Sequence, residues 1–474
     1  MPDDAPALSG LAALEADLAR DFARLNNPPA DWTPEIDGPD GRPMADVLIA
    51  GAGMNGLAAA FALRRLGISR ILHVDRGRNG REGPWLTYAR MEMLRSPKHL
   101  TGPAQGFASL TFRAWWEAQH GAEGWERLGY IRREDWAAYL TWYRHATGAR
   151  VENGVELVAI DADDRCVTAR LRDARGERVV HARQAVLATG REGQARPRIP
   201  EGFAPFMETL AAHSSDPIDF AALRGRRVAV IGLAASAFDN ACAAAEAGAR
   251  VTLLGRAEAL PPLNKMKQTV YPGFAHGFPD LPDAERLRWL RHVAAARIAP
   301  PRHTAQRAAR AGVRVMLGAA VRGVARAGDG LRIETARGPV EADFAILGTG
   351  FAFDLGAAPE LASVVPRVLT WGDVAGEDAG DDYRACPALG PGFEFRPKPG
   401  AHGAGLNRLR CCTHAAQPSV GNLANDIPQS GDGAERLASA IARALFVEDS
   451  AHHWRRLATY AEPELLGDEG LTFI

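Results

Sequence analysis

Apolar and polar positions recur with two different periods along the chain, and they predict alternating helical and extended segments. Leucine and phenylalanine recur at helical spacing over residues 8–25, which predicts an amphipathic helix. The same spacing marks residues 132–145, and two further helices are predicted to close the chain at 433–446 and 450–460. Residues 155–188 alternate apolar and polar side chains around a polar turn, which predicts a hairpin and a return strand.

Two long stretches show neither period. Residues 77–130 and 372–432 are rich in glycine and proline, and they are predicted to form loops. The first of them is also rich in aromatic residues. A long irregular segment between regular elements usually has a function, so this segment is a candidate to line a binding site.

An apolar strand that runs into a glycine-rich turn occurs twice, and its first copy is complete. Residues 46–50 lead into Gly51, Gly53 and Gly56, and Asp75 closes the next strand. The first glycine allows a tight turn, the second lets the backbone approach a pyrophosphate, and the third lets the helix pack on the strand. The helix N-terminus offers its N–H groups to the phosphates, and the acid accepts hydrogen bonds from a ribose diol. This copy predicts a bound dinucleotide.

The second copy differs in chemistry at the end of its second strand. Residues 227–231 lead into Gly232 and Ser236, but alanines replace the second and third glycines. Arg256 stands 24 positions after Gly232, as Asp75 stands 24 positions after Gly51. An arginine there can neutralise a 2′-phosphate, so this copy predicts NADPH binding. NADH, and a helix packed on a sheet without any ligand, stay open as alternatives.

Together the two copies predict a flavin enzyme that holds FAD in the first unit and receives electrons from NADPH in the second. Each unit ends in a Thr-Gly turn, and we interpret these turns (Thr189, Gly190, Thr349 and Gly350) as crossings between domains. The predicted fold is α/β, with two Rossmann-like dinucleotide-binding domains, the NADPH domain inserted into the FAD domain. The predicted division is an N-terminal helix and extension (1–44), an FAD domain in two parts (45–212 and 346–474, the latter with the C-terminal helices), and an NADPH domain (213–345).

Several further side chains are candidates for ligand binding. Trp85 is expected either beside the flavin or in the core. A group of polar residues follows each nucleotide unit, where loops overlie the carboxyl ends of the strands and ligands bind. Substrate binding and solvated surface charge both remain open for them. These residues are Arg95, Lys98, Asn264, Lys265 and Lys267.

Composition narrows the function classes. The chain has 474 residues, which favours two or more domains, and its net charge of −1 gives no bias towards nucleic acid. No apolar run approaches the roughly 20 residues of a membrane helix, and residues 1–6 do not resemble a signal peptide, so a cytoplasmic location is expected. The five cysteines form no CxxC pair, which argues against a dithiol reductase, and no metal-binding pattern is found.

The motifs resemble those of the class B flavoprotein monooxygenases. Residues 130–142 and 343–351 are similar to two segments of the ornithine and lysine N-hydroxylases in that superfamily. The tail motif at 421–428 resembles the segment whose strand-end acid meets the flavin ribityl chain, which assigns that role to Asp426.

This resemblance implies oxygenation of a small nucleophilic substrate by O2 through a flavin C4a-(hydro)peroxide, with no catalytic acid–base residue required from the protein. N-hydroxylation of an amino acid or amine is the first expectation. A Baeyer–Villiger or sulfur monooxygenase, an FAD-dependent NADPH oxidoreductase without oxygenation, and a nucleotide-sensing protein remain as alternatives. Assembly into identical subunits is left open.

Overall fold

The computed structural model describes residues 9–296, 298–466 and 468–470. Within these residues the chain forms thirteen α-helices and seventeen β-strands. The helices are α1 (Gly10–Arg24), α2 (Met54–Arg65), α3 (Phe112–Arg127), α4 (Arg133–Ala146), α5 (Ala235–Glu246), α6 (Pro272–Gly277), α7 (Asp283–Ala295), α8 (Arg302–Arg310), α9 (Trp371–Ala375), α10 (Gly380–Tyr383), α11 (Gln417–Val420), α12 (Ser430–Glu448) and α13 (Ser450–Thr459). The strands are β1 (Ala45–Ala50), β2 (Ile71–Asp75), β3 (Glu152–Asn153), β4 (Glu156–Ala162), β5 (Val167–Asp173), β6 (Gly176–Leu187), β7 (Ala195–Pro197), β8 (Ala211–His213), β9 (Arg227–Ile231), β10 (Arg250–Leu254), β11 (Arg314–Met316), β12 (Val321–Ala327), β13 (Gly330–Thr335), β14 (Gly338–Ala342), β15 (Phe344–Leu347), β16 (Phe351–Phe353) and β17 (Leu409–Cys411).

The first sheet combines a parallel half with an antiparallel half. Its parallel strands lie in the order β3-β2-β1-β6-β17. Strand β6 is long enough to serve both halves, because its beginning pairs antiparallel with β5, and β5 pairs with β4. The predicted hairpin and return strand over 155–188 therefore agree with the structure.

Strand β17 lies within the stretch 372–432 that was predicted to be a loop, and that prediction was wrong here. Its residues pair with the end of β6, so the chain returns to the first sheet after more than two hundred residues. A three-residue strand is too short to show a period in the sequence. Its hydrogen-bonding partner becomes available only in the folded protein.

The second sheet is parallel throughout, in the order β11-β10-β9-β15-β8. A three-stranded antiparallel sheet, β12-β13-β14, accompanies it. The two connections between the first sheet and the second pair with each other as β7 and β16. The predicted fold of two Rossmann-like units, one inserted into the other, is confirmed. The strands β8 and β15 run across the predicted boundaries at 212/213 and 345/346, so the second sheet extends slightly beyond both.

The helix predictions agree with the structure except in two segments. The short helices α9, α10 and α11 lie in the stretch 372–432 that was predicted to be a loop, and a longer helix was missed nearer the start of the chain. Helix α1 lies within the predicted 8–25, of which residue 8 falls outside the described residues, and α4, α12 and α13 match their predictions. Helix α3 was missed, because residues 77–130 were predicted to be a loop. It bends at Gly121 (φ +69°), and it buries Phe112, Trp115 and Trp125 in an aromatic cluster with α4. Its stability therefore comes from tertiary packing.

Helix α2 is covered on both sides, and its residues 56–63 are apolar around the whole circumference. Eight consecutive residues, from Gly56 to Leu63, are buried between the first sheet and α12. A helix of this kind belongs in a core. In the described part of the chain no helix combines the length and apolar character needed to cross a bilayer.

A buried ion pair fastens the C-terminal helices to the first sheet. The guanidinium of Arg183, on β6, donates two hydrogen bonds of 2.8 Å to the carboxylate of Asp449, between α12 and α13. The Arg183 side chain is only 1% exposed, and Asp46 at the start of β1 lies 3.5 Å from it. Removing one partner of such a pair leaves an uncompensated buried charge.

We therefore expect Arg183→Met to lower the free energy of unfolding by about 3–5 kcal/mol. Arg178→Met is the matched control, because Arg178 lies on the same strand and its ion pairs are partly exposed. Its effect should stay within about 1 kcal/mol. Chemical denaturation followed by circular dichroism measures both, and equal losses would contradict the assignment.

Candidate functional site

The first glycine-rich turn has no room for side chains at two of its positions. Gly51 has φ +103°, and a Cβ atom there would lie 2.3 Å from the carbonyl oxygen of Ala188. A Cβ atom at Gly56 would lie 1.9 Å from the Gly51 oxygen. The turn thus brings β1, α2 and the exit of β6 closer together than any other residue type would allow.

Gly53 has a different role from the other two glycines. It is the N-cap of α2 with φ −67°, and the nearest atom to a Cβ there is the Cα of Gly83 at 3.8 Å. Gly53 lines a cavity together with Asn79, Trp85 and Leu86. The first turn of α2 therefore offers unpaired N–H groups beside this cavity, which suits a phosphate.

Asp75 lies at the end of β2 as the motif requires. Its carboxylate accepts hydrogen bonds of 2.6 Å from the backbone N–H groups of Ala52 and Gly77, one on each oxygen. These bonds fix the carboxylate beside the glycine-rich turn. Each oxygen keeps a lone pair for a ribose hydroxyl.

Several buried polar atoms around this turn have no partner among the described residues. They include Trp85 Nε1, Thr189 Oγ1 and Asn55 Oδ1. Trp85 packs edge-to-face on Trp136, so it belongs to the aromatic cluster and also lines the cavity. The Asn55 amide donates to the Ala424 carbonyl at 2.6 Å, which joins the turn to the C-terminal segment. Unpaired buried groups of this kind indicate a polar ligand.

The second turn repeats the geometry of the first with one exchange of side chains. Gly232 has φ +128°, and a Cβ there would lie 2.4 Å from the Gly348 oxygen. Gly348 takes the place of Ala188, while Ala237 takes the place of Gly56. A Cβ at Gly348 would lie only 2.5 Å from the Cβ of Ala237. In the first unit the strand residue has the methyl group (Ala188) and the helix residue is glycine (Gly56). In the second unit the helix residue has it (Ala237) and the strand residue is glycine (Gly348).

Ala234, which replaces the second glycine of the motif, is also compatible with the backbone of this turn. Ala234 caps α5 with φ −83° and ψ 173°, close to the conformation of Gly53 in the first unit. A negative φ places no strain on alanine. Ser236, in the first turn of α5, donates a hydrogen bond of 3.0 Å to the Ser214 hydroxyl.

Arg256 is exposed just after β10 and has no hydrogen-bond or ion-pair partner in the described part of the chain. Its guanidinium is therefore free to bind an anion.

The two Thr-Gly turns lie where the strands of each sheet end. Gly190 and Gly350 have φ +75° and +77°. The Thr349 hydroxyl donates to the Arg198 carbonyl, and the buried His213 ring lies 3.0 Å from the Gly350 oxygen. His213 was not predicted as a site residue.

Within the described residues, no hydrogen bond or ion pair joins two of the predicted substrate residues directly. Lys98 donates to the Trp125 carbonyl at 2.6 Å and lies over its ring, so it is a poor anchor for a substrate anion. Lys265 lies 2.6 Å from the His292 ring, and the Asn264 side chain accepts a hydrogen bond from the backbone of Met266. Lys267 is exposed.

Arg95 is the predicted cation that reaches across to the second unit. It donates to the Ala299 carbonyl at 3.0 Å, and the Ala299 N–H bonds to the carbonyl of Leu263, next to Asn264. Burial lowers the pKa of its guanidinium, while the neighbouring Asp239 raises it.

Asp426 follows the segment that Asn55 contacts, and that segment is a short 3-10 helix rather than the strand that the tail motif implied. Burial raises its pKa to about 6. Neighbouring carboxamides of this segment, those of Asn422, Asn425 and Gln429, were not predicted, because an isolated Asn or Gln in a loop carries no pattern. Among the described residues, no group of three or more His, Cys, Asp or Glu side chains is arranged to hold a metal ion.

Asp239 links the two units electrostatically. It lies on α5, 4% exposed, and burial raises the pKa of its carboxyl to about 6 although Arg307, Arg95 and Arg133 favour the charged form. The folded state thus retains the proton to higher pH than the unfolded state does. The protonated Asp239 carboxyl therefore contributes to the stability of the folded state in full below about pH 4, and this contribution is lost as the pH rises to about 6.

We therefore expect the stability of Asp239→Asn, relative to the wild type, to rise between pH 4 and pH 7 by on the order of 2–3 kcal/mol, at about 1.4 kcal/mol per pKa unit. Asp343→Asn provides a control of opposite sign, because hydrogen bonds from Arg227 lower the pKa of Asp343. Because its folded pKa lies below the usual carboxyl value, the relative stability of Asp343→Asn should fall as the pH rises towards 4 and change little from pH 4 to pH 7. Thermal unfolding at stepped pH measures both, and parallel trends would refute the assignment.

Three comparisons place the chain among known proteins. Residues 48–305 match the model of the pyridine nucleotide-disulphide oxidoreductase family. The chain is 38% identical over 463 residues to the FAD-dependent urate hydroxylase of Xanthomonas campestris pv. campestris, which covers 96% of this chain and 98% of that protein.

Solved structures with the same fold include an ornithine hydroxylase and a lysine monooxygenase. Ornithine hydroxylase from Pseudomonas aeruginosa superposes with a TM-score of 0.66 at 18% identity, over 85% of this chain and 100% of that chain. L-lysine 6-monooxygenase from Pseudomonas syringae gives 0.65 at 18% identity, over 85% and 99%. At 18% identity, these two similarities show a shared fold and nothing further about function.

The family match covers more than half of the chain, and the hydroxylase match covers nearly all of it. The predicted resemblance to flavoprotein monooxygenases is confirmed. The chain is an enzyme that belongs to the pyridine nucleotide-disulphide oxidoreductase family and, within it, to the FAD-dependent monooxygenases.

Proposed function

We propose that this enzyme uses FAD and NADPH to hydroxylate an oxopurine of the urate class. The observation that carries the proposal is the similarity to the FAD-dependent urate hydroxylase, which extends over 96% of this chain rather than over the nucleotide motifs alone. The nucleotide motifs are common to many flavoproteins, so a match that includes the loops between them supports a shared substrate class as well.

The first unit fits FAD. Gly53 and the N-terminus of α2 would hold the pyrophosphate, and Asp75 would accept the ribose hydroxyls. The unpartnered Trp85 Nε1, Thr189 Oγ1 and Asn55 Oδ1 supply the further polar contacts that a dinucleotide needs. Asp426 would meet the ribityl chain. When bound, the flavin supplies the transfer of electrons from NADPH to O2 and of one oxygen atom to the substrate.

The second unit fits a nicotinamide dinucleotide with a 2′-phosphate. The Ala234 N-cap has the same backbone form as Gly53, and Ser236 lies in the first turn of α5. Arg256 offers an unpaired guanidinium at the strand end where the adenosine ribose lies in this fold.

The cysteines do not support a dithiol reductase, although the family name includes that activity. All five cysteines are buried and unpaired. Burial raises the pKa of Cys411 to about 11 and that of Cys412 to about 12. A thiol that stays protonated at neutral pH is a weak nucleophile for disulphide exchange.

The first expectation of amino-acid N-hydroxylation gains no specific support from the site. Lys98 and Lys265, expected to bind an anionic group of the substrate, are engaged with Trp125 and His292. Ornithine and lysine therefore serve as the comparison substrates below.

The proposed reaction consumes one NADPH and one O2 for each urate, places one oxygen atom on the substrate and releases the other as water. We expect urate, and neither ornithine nor lysine, to accelerate NADPH oxidation by the purified enzyme. Urate loss, O2 uptake and NADPH oxidation should agree in a 1:1:1 ratio. NADPH oxidation that yields hydrogen peroxide at the same rate with and without urate would contradict the proposal.

We expect Arg256→Ala to raise KM for NADPH by about ten- to a hundredfold, the usual size of a lost hydrogen bond to a charged group, and to leave KM for NADH nearly unchanged. Initial rates with each nucleotide measure the effect. Arg226→Ala is the control, because Arg226 is exposed directly before β9, at the opposite end of the sheet. Equal changes with NADPH and NADH would remove the phosphate-binding role.

A further inference from the structure

Two buried carboxamides converge on one residue. The Asn422 side chain donates to the Thr269 hydroxyl at 2.7 Å and lies 3.4 Å from the Thr269 carbonyl oxygen. The Gln429 side chain donates to the same carbonyl at 3.1 Å and lies 3.4 Å from the carbonyl oxygen of Tyr271. The Thr269 hydroxyl in turn donates to the Met266 carbonyl at 2.7 Å, so its oxygen is left to accept.

These contacts fix the orientation of both amides. A backbone carbonyl can only accept hydrogen bonds, so each side chain must turn its NH2 group towards Thr269. The oxygens Asn422 Oδ1 and Gln429 Oε1 consequently face away from it, and neither has a partner among the described residues. Asn422 is 1% exposed and Gln429 is 3% exposed, so bulk water does not satisfy these oxygens.

The pair lies beside the dinucleotide turn of the first unit. Asn422 belongs to the segment 421–424, whose last carbonyl accepts the hydrogen bond from Asn55 in that turn. Gln429 directly precedes α12, which packs on α2. The two oxygens therefore stand on a segment that touches both the glycine-rich turn and the 265–271 region of the inserted unit.

A buried acceptor without a partner favours a ligand that donates a hydrogen bond to it, because water cannot reach the acceptor. We propose that Asn422 Oδ1 and Gln429 Oε1 are specificity determinants that accept hydrogen bonds from ring N–H groups of the oxopurine substrate, with Thr269 as the residue that positions them. This inference rests on the proposed function, because it assigns residues to the substrate class named there.

The chemistry of the pair suits such a substrate. Oxopurines carry several N–H groups next to ring carbonyls, and Asn and Gln side chains pair with the edges of such rings. The oxygens are neutral, so they discriminate by the presence of a hydrogen rather than by charge. A site built to bond an N–H group rejects an analogue that lacks it far more strongly than an apolar pocket does.

The decisive measurement is urate binding to the oxidised, FAD-loaded enzyme without NADPH, by isothermal titration calorimetry. We expect Gln429→Met and Asn422→Leu each to raise Kd for urate about tenfold or more, because each removes one acceptor. The wild type should bind urate more tightly than urates methylated at a ring nitrogen, and one or both variants should lose part of that preference.

Gln105→Met is the matched control. Gln105 is a buried glutamine near the start of α12, but both ends of its carboxamide have partners, Ala58 and Arg65. The control should lose stability without changing Kd for urate. Bound FAD per chain, read from its visible absorbance, should be unchanged in the Asn422 and Gln429 variants.

The outcomes separate this inference from the function on which it rests. If the wild type binds and oxidises urate while both variants bind it normally, the inference is wrong and the function stands. Loss of FAD from the variants would assign the carboxamides to the cofactor and also overturn it. If the wild type neither binds nor oxidises urate, the proposed substrate class is wrong, and the inference fails with it.

Discussion

Two close approaches of a glycine to a carbonyl oxygen organise this protein. Gly51 meets the Ala188 oxygen and Gly232 meets the Gly348 oxygen, each at a distance that leaves no space for a Cβ atom. Each approach ties the end of one strand to the end of its neighbour, and it directs the following helix N-terminus towards the same edge of the sheet. Phosphate binding at that edge follows from the helix geometry.

The second unit shows which parts of the motif are mechanical and which are chemical. Ala237 replaces the third glycine because Gly348 gives up the methyl group that Ala188 has in the first unit. Ala234 replaces the second glycine at a negative φ that alanine accepts. A motif that looks degenerate in sequence thus keeps the fold intact. The residue that differs in charge, Arg256 against Asp75, is the one to which we assign a different part of the nucleotide.

The residues that we propose for the substrate come from distant parts of the chain. Strand β17 returns the chain to the first sheet, and the following segment brings Asn422 and Gln429 against Thr269 and next to the glycine-rich turn. Two of the lysines predicted to bind the substrate, Lys98 and Lys265, contact Trp125 and His292 instead. For this reason we assign the substrate contacts to buried carboxamides rather than to these lysines.

Local patterns were enough to predict the two nucleotide units, their order and six helices (α1, α2, α4, α5, α12 and α13), because a strand, a glycine turn and a strand-end residue lie within about 30 residues of one another. Strand β17, helix α3 and the partners of the polar side chains depend on contacts that exist only in the folded chain. A three-residue strand forms only when β6 offers its edge, and α3 is stabilised by aromatic packing on α4. Whether a lysine is free or an amide oxygen lacks a partner depends on residues far away in the chain, and no local pattern records that.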